Sequence, residues 1–113
     1  MKANELRIGS LVDWNGEIAK ISQILELEVV FTCGESDLTK AIKPIPLTED
    51  FVIDLGLNPV EIENGEWYYQ NNKFRLNKNY SGFYYSRNLD VKYVHQLQNL
   101  YFALTGEELT LNV

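Results

Sequence analysis

The sequence has one cysteine, one histidine and three prolines in 113 residues, and each scarcity closes off a class of function. A lone thiol, Cys33, rules out an intrachain disulfide as a source of stability. With one His and one Cys far apart, transition metals would lack their usual nitrogen and sulfur ligands. The carboxylates lack EF-hand spacing, so no metal site and no cofactor is expected. No apolar run approaches the roughly 20 residues that span a bilayer. The opening MKANELRIGS has no apolar segment of the kind a signal peptide needs. These features point to a cytoplasmic protein without a membrane partner. There is no glycine-rich phosphate loop, internal repeat, low-complexity tract or linker. The expectation is a single compact domain over residues 1–113, divisible into a β-rich part (1–47) and a second part (48–113).

Aromatic side chains are plentiful: seven Tyr, five Phe and two Trp. They favour strands and contact surfaces over a plain helical bundle. The net charge of −6 is unevenly placed. Residues 1–56 hold five basic and ten acidic side chains, and residues 57–113 hold five and six. Residues 67–93 reverse the sign, with Lys73, Arg75, Lys78, Arg87 and Lys92 against Asp90 alone. An acidic whole argues against generic nucleic-acid binding, which relies on neutralising phosphates, while the basic stretch keeps a narrower form of it open.

Residues 6–33 read as short strands, with Asn15-Gly16 supplying the positive φ angles of a tight hairpin. Imperfect alternation around that turn leaves room for a bulge or a longer loop. Pro44 and Pro46 keep the next segment extended. Several strands in a short space suggest a small SH3-like barrel or curled sheet. A short helix follows, with Thr48 as N-cap, Glu49 and Asp50 in its first turn, Leu47 stapled to Val52, and Gly56 as the stop. Residues 60–87 read as a meander turning at Asn64-Gly65 and Asn71-Asn72. That register puts Val60, Ile62, Trp67, Tyr69, Phe74 and Leu76 on one apolar face, continued by Phe83 and Tyr85. The other face shows Glu61, Tyr68, Arg75 and Tyr84. A closing helix fits Val94 to Thr105, with Val94, Leu97, Leu100, Tyr101 and Leu104 as its core stripe and Gly106 just past its end. Leu109, Leu111 and Val113 then alternate as a last short strand.

No catalytic group stands out. The helical neighbours of His95 are not ionisable, so it lacks the orienting carboxylate a general base needs. Cys33 follows a strand-like run beside Gly34 and Glu35, and a structural or inert thiol is expected there. Glu107 and Glu108 point apart in extended chain and do not form an acid–base pair. Two surfaces remain. Tyr68, Arg75 and Tyr84, flanked by Lys73 and Lys78, could stack on bases and meet phosphates; the alternative is a solvated or covered sheet face. Phe102 falls on the polar side of the closing helix with His95 and Gln98. It either packs under a loop or contacts a partner, which in the commonest case is a second copy in a two-fold dimer.

The segments MKANELRIGSLV, PIPLTEDF and YVHQLQNLYFALTGEEL resemble a group of small proteins from gut anaerobic bacteria and their phages or mobile elements. The resemblance covers about a third of the chain and leaves out residues 61–92. It implies an accessory role in such a setting and carries over no activity, cofactor or site residue. The sequence therefore describes an α+β protein: an N-terminal SH3-like or curled β-subdomain, a short helix, an antiparallel meander packed by a C-terminal helix, and a last short strand. Its expected role is non-enzymatic, binding a protein partner or itself, with nucleic-acid binding as the alternative.

Overall fold

The computed structural model describes residues 1–61, 66–109 and 111. Strands β1 (Leu11–Trp14), β2 (Glu17–Ile24), β3 (Glu28–Phe31) and β4 (Ser36–Leu38) form one antiparallel sheet in sequential order. Asn15 and Gly16, at φ 55° and 83°, make the expected tight turn and pair Trp14 with Glu17. The irregularity falls further on, between Ile21 and Gln23, where β2 bulges against β3 and the sheet curls. Lys43 then returns to β1, exchanging two 2.9 Å hydrogen bonds with Asp13.

Helix α1 (Glu49–Asp54) starts where Thr48 Oγ1 accepts from the Phe51 N–H at 3.2 Å. It ends at Gly56, whose φ of 93° only glycine adopts cheaply. The second sheet runs in order through β5 (Asn58–Glu61), β6 (Trp67–Gln70), β7 (Arg75–Asn79), β8 (Gly82–Ser86) and β9 (Leu89–Val91), all antiparallel. Helix α2 (Val94–Thr105) follows, and Gly106 at φ 75° donates back to the Phe102 carbonyl at 2.8 Å.

Two cores share β1. Val12 joins Leu6, Ile21, Val29, Phe31 and Ile42 inside the curled sheet. Its neighbour Leu11 points the other way, into the core formed by α1, the five-stranded sheet and α2. Strand alternation thus fastens the sheets together through consecutive residues.

The meander keeps its apolar face but not its expected register. Tyr69 pairs with Leu76, and Trp67 with Lys78, a shift of two residues. The turn centres on Asn72-Lys73, closed by the Asn71 N–H to the Phe74 carbonyl at 3.1 Å. A shift of two preserves the face, so Tyr69, Phe74, Leu76 and Phe83 are buried together. The shift in the first hairpin is one residue, which reverses the face. Val60 pairs with Tyr68 on the outer side, and Glu61 pairs with Trp67. The Asn64-Gly65 turn and Ile62 lie outside the described residues.

Tyr85 continues the core face as expected, stacking on Phe74 at 5.5 Å, but at its edge, where it is 37% exposed. Two further expectations change. Leu104 is 51% exposed, while His95 and Gln98 are buried on α2. The reason is that α2 lies between two sheets, so its buried surface wraps around toward β1. Leu109 is buried in the core, but neither it nor Leu111 sits in a strand. The remaining positions of the expected last strand lie outside the described residues.

Candidate functional site

The outer face of the five-stranded sheet is organised by two rows. Tyr68 pairs with Asn77, and Asn77 with Tyr84, so the three form one row across β6, β7 and β8. Gln70 and Arg75 form the next row. Arg75 crosses the diagonal and lays its guanidinium over Tyr68, 4.3 Å from the ring centroid. The side chain is exposed, and among the described residues no carboxylate pairs with it. Asn77 holds the centre of the row by donating to the Tyr85 carbonyl at 3.2 Å. Beyond Tyr84 lies a depression of about 260 Å³, lined by Asn79, Ser81, Arg87 and Asp90 among others.

The two lysines expected beside this face are elsewhere. Lys78 occupies the inner side with Trp67 and Phe83, its ammonium 5.5 Å from the Phe83 centroid. Lys73 sits in the turn and forms an ion pair with Glu107 beyond the end of α2. The Glu107 hydrogen bond raises the lysine's pKa, outweighing slight desolvation. The sheet face thus joins Tyr68, Arg75 and Tyr84 and excludes both lysines. Asn77 and Gln70 were not singled out from the sequence. Their alternation with Leu76 and Tyr69 was the available signal.

Phe102, His95 and Gln98 do not form one surface. Gln98 is 1% exposed and its amide is fully occupied. Its Oε1 accepts from Leu11 N–H at 2.8 Å, and its Nε2 donates to the Gly9 and Leu109 carbonyls at 3.0 and 3.4 Å. The side chain supplies hydrogen bonds to backbone groups at the start of β1 and, at Leu109, in the chain after α2. Phe102 is 41% exposed, with the Arg7 guanidinium over its ring at 4.3 Å. Arg7 also donates to Asn99 Oδ1 at 2.8 Å, to the Gln98 carbonyl at 3.1 Å and to Glu108 at 2.6 Å.

His95 is 4% exposed, stacks beside Tyr93 at 5.9 Å, and leaves Nδ1 buried with no hydrogen-bond partner among the described residues. Burial lowers its pKa, opposed by the Glu5 carboxylate. Glu107 and Glu108 diverge to separate cations, Lys73 and Arg7. A cleft of about 420 Å³ between the curled sheet and the chain after α2 is lined by Trp14, Phe31, Cys33, Leu109 and Leu111 among others. His95 does not line it, so the single thiol and the single imidazole are not brought together there. Among the described residues no cluster of His, Cys, Asp or Glu could hold a metal ion, and no helix is long and apolar enough to cross a membrane.

No protein-family model, curated protein or solved structure matches the chain.

Proposed function

We propose that this protein is a non-enzymatic interaction module that works in the cytoplasm and binds a protein partner through the outer face of its five-stranded sheet. The observation that carries this reading is the Tyr68–Arg75 stack beside the Tyr68–Asn77–Tyr84 row. Tyrosine and arginine are enriched among the residues that dominate protein interfaces, tyrosine covering a large area at little conformational cost and arginine adding charge and several donors. Here the stack holds the guanidinium in place before a partner arrives, which lowers the ordering cost on binding. A nucleic-acid surface would draw on more cations, and Lys73 and Lys78 are both engaged away from this face. The resemblance to proteins of phages and mobile elements is in keeping with an accessory role of this kind.

The test is affinity capture from the organism that carries the gene, using wild type, Arg75→Ala and Tyr68→Ala. A protein retained by wild type and lost with both variants supports the reading. A partner set that both variants retain unchanged overturns it. Binding of a labelled single-stranded oligonucleotide that falls steeply with salt would move the function to the nucleic-acid alternative.

A further inference from the structure

The curled sheet carries an apolar row on its own outer face. Glu28 pairs with Leu38 across β3 and β4, and Leu25 donates its N–H to the Glu28 carbonyl at 2.8 Å. Leu25, Glu28 and Leu38 therefore lie side by side across three neighbouring chain segments. The adjacent row contains Val29, which is fully buried, so this one faces outward. Leu25 and Leu38 are 45% and 42% exposed, and Leu27, in the turn beside them, is 71% exposed. Residues 24–38 hold four carboxylates (Glu26, Glu28, Glu35 and Asp37) and no basic side chain. Glu28 has no ion-pair partner among the described residues. An exposed apolar row bordered by unneutralised acid asks for a partner that offers flat apolar surface and a cation.

The outer face of the five-stranded sheet offers both. Its Tyr68–Asn77–Tyr84 row also crosses three adjacent strands, so each row spans about 10 Å at the normal strand spacing. Laid one on the other, Leu25 and Leu38 would meet the two tyrosine rings. The Glu28 carboxylate between them would meet the second Asn77 N–H, the first being used on Tyr85, and the neighbouring Arg75 guanidinium. Arg75 thus supplies the cation that the Leu25–Glu28–Leu38 row lacks, while Asp90, paired with Tyr84, puts a carboxylate beyond the far end of the tyrosine row.

From this match we infer that copies of the chain associate head to tail, the Leu25–Glu28–Leu38 row of one copy seated on the Tyr68–Asn77–Tyr84 row and Arg75 of the next. The inference rests on the reading of the sheet face as the binding surface and names a second copy as its occupant. Because two different patches meet, the contact need not close on itself and can add further copies. A contact of two rows is small, so the association is weak and concentration-dependent, and it loosens as salt screens the Glu28–Arg75 attraction.

Sedimentation equilibrium at low salt tests this. The wild-type mean mass is expected to rise above the 13.1 kDa monomer as concentration approaches about 1 mM, a range suited to weak contacts. Glu28→Arg alone and Arg75→Glu alone should each remain monomeric. Mixed, they should associate again, because one contact restores the native Glu28–Arg75 pair and the other brings the two reversed charges together. Leu27→Glu, changing an exposed turn residue, should weaken association as Glu28→Arg does, so a folding defect in one variant cannot imitate the result. A wild-type monomer at every concentration, or a mixture that stays monomeric while both variants melt cooperatively, overturns the inference. Those outcomes leave the binding-face reading standing if Arg75→Ala still loses a captured partner.

Discussion

The Arg7 guanidinium covers the Phe102 ring at 4.3 Å, and this contact joins the chain before β1 to the last turns of α2. Phe102 therefore has a partner inside the fold despite lying on the polar side of its helix. Arg7→Ala removes the stacking, the bonds to Asn99 and Gln98, and a Glu108 ion pair whose side chains are 28% and 36% exposed. The expected loss is about 2 kcal/mol, most of it from hydrogen bonds to a charged group and the cation–π contact rather than the half-screened ion pair. Phe102→Ala should cost about 1 kcal/mol by losing the ring under the cation. Urea denaturation checks both. Phe102→Glu should leave the solution mass unchanged, because this ring is not the self-association surface.

Gln98 makes a sharper stability prediction. Its amide serves one N–H and two carbonyls that have no other partner described for them. Gln98→Leu fills the space but strands those backbone groups in a buried site, at an expected cost of about 2–4 kcal/mol. Gln98→Glu at neutral pH should be worse, since the carboxylate cannot donate to Gly9 and Leu109 and brings a buried charge. A chemical denaturation series that ranks wild type above Leu and Leu above Glu bears this out; equal midpoints would refute it.

What could be read from the sequence was local. The Asn15-Gly16 turn, the Thr48 cap and the two glycine stops depend on a few neighbouring residues, and each stands where its chemistry put it. The meander face was legible because Tyr69, Leu76 and Phe83 alternate at strand spacing, and a two-residue slip does not move them. The side of Val60 was not legible, because it turned on a single residue of register. His95 and Gln98 looked like a polar helix face, because nothing near them in sequence marks β1 as their neighbour. Lys73 and Lys78 looked like part of one basic surface, although strand parity and a distant Glu107 send them to different places.

His95 predicts a pH dependence with a defined sign. Burial holds its folded pKa below the ordinary value of 6.5, with Glu5 opposing, so the unfolded chain binds the proton more readily. Its contribution is constant above that ordinary value. It turns destabilising as pH falls below it toward the lower folded pKa. His95→Phe keeps a ring beside Tyr93 and removes the titration. Between pH 7.5 and 5.5, wild type should lose stability relative to His95→Phe, as read from paired denaturation curves. Parallel curves would assign the pH dependence to other groups.

The lysines separate the two binding readings most cleanly. Lys73 and Glu107 are 50% and 55% exposed, so Lys73→Ala should change stability by no more than about 0.5 kcal/mol. Lys78→Ala removes an ammonium from the inner side of the sheet beside Phe83, out of reach of anything docked on the outer face. For a protein partner held by Tyr68, Arg75 and Tyr84, both lysine variants should bind like wild type. Arg75→Ala and Tyr68→Ala should each weaken binding by about tenfold or more, the usual effect of truncating an arginine or tyrosine anchor. A phosphate-tracking surface behaves differently. Every cation near the strand adds to affinity and to its salt slope, so Lys73→Ala would lower both. Binding constants for these four variants at two salt concentrations therefore separate a protein-binding face from a nucleic-acid one.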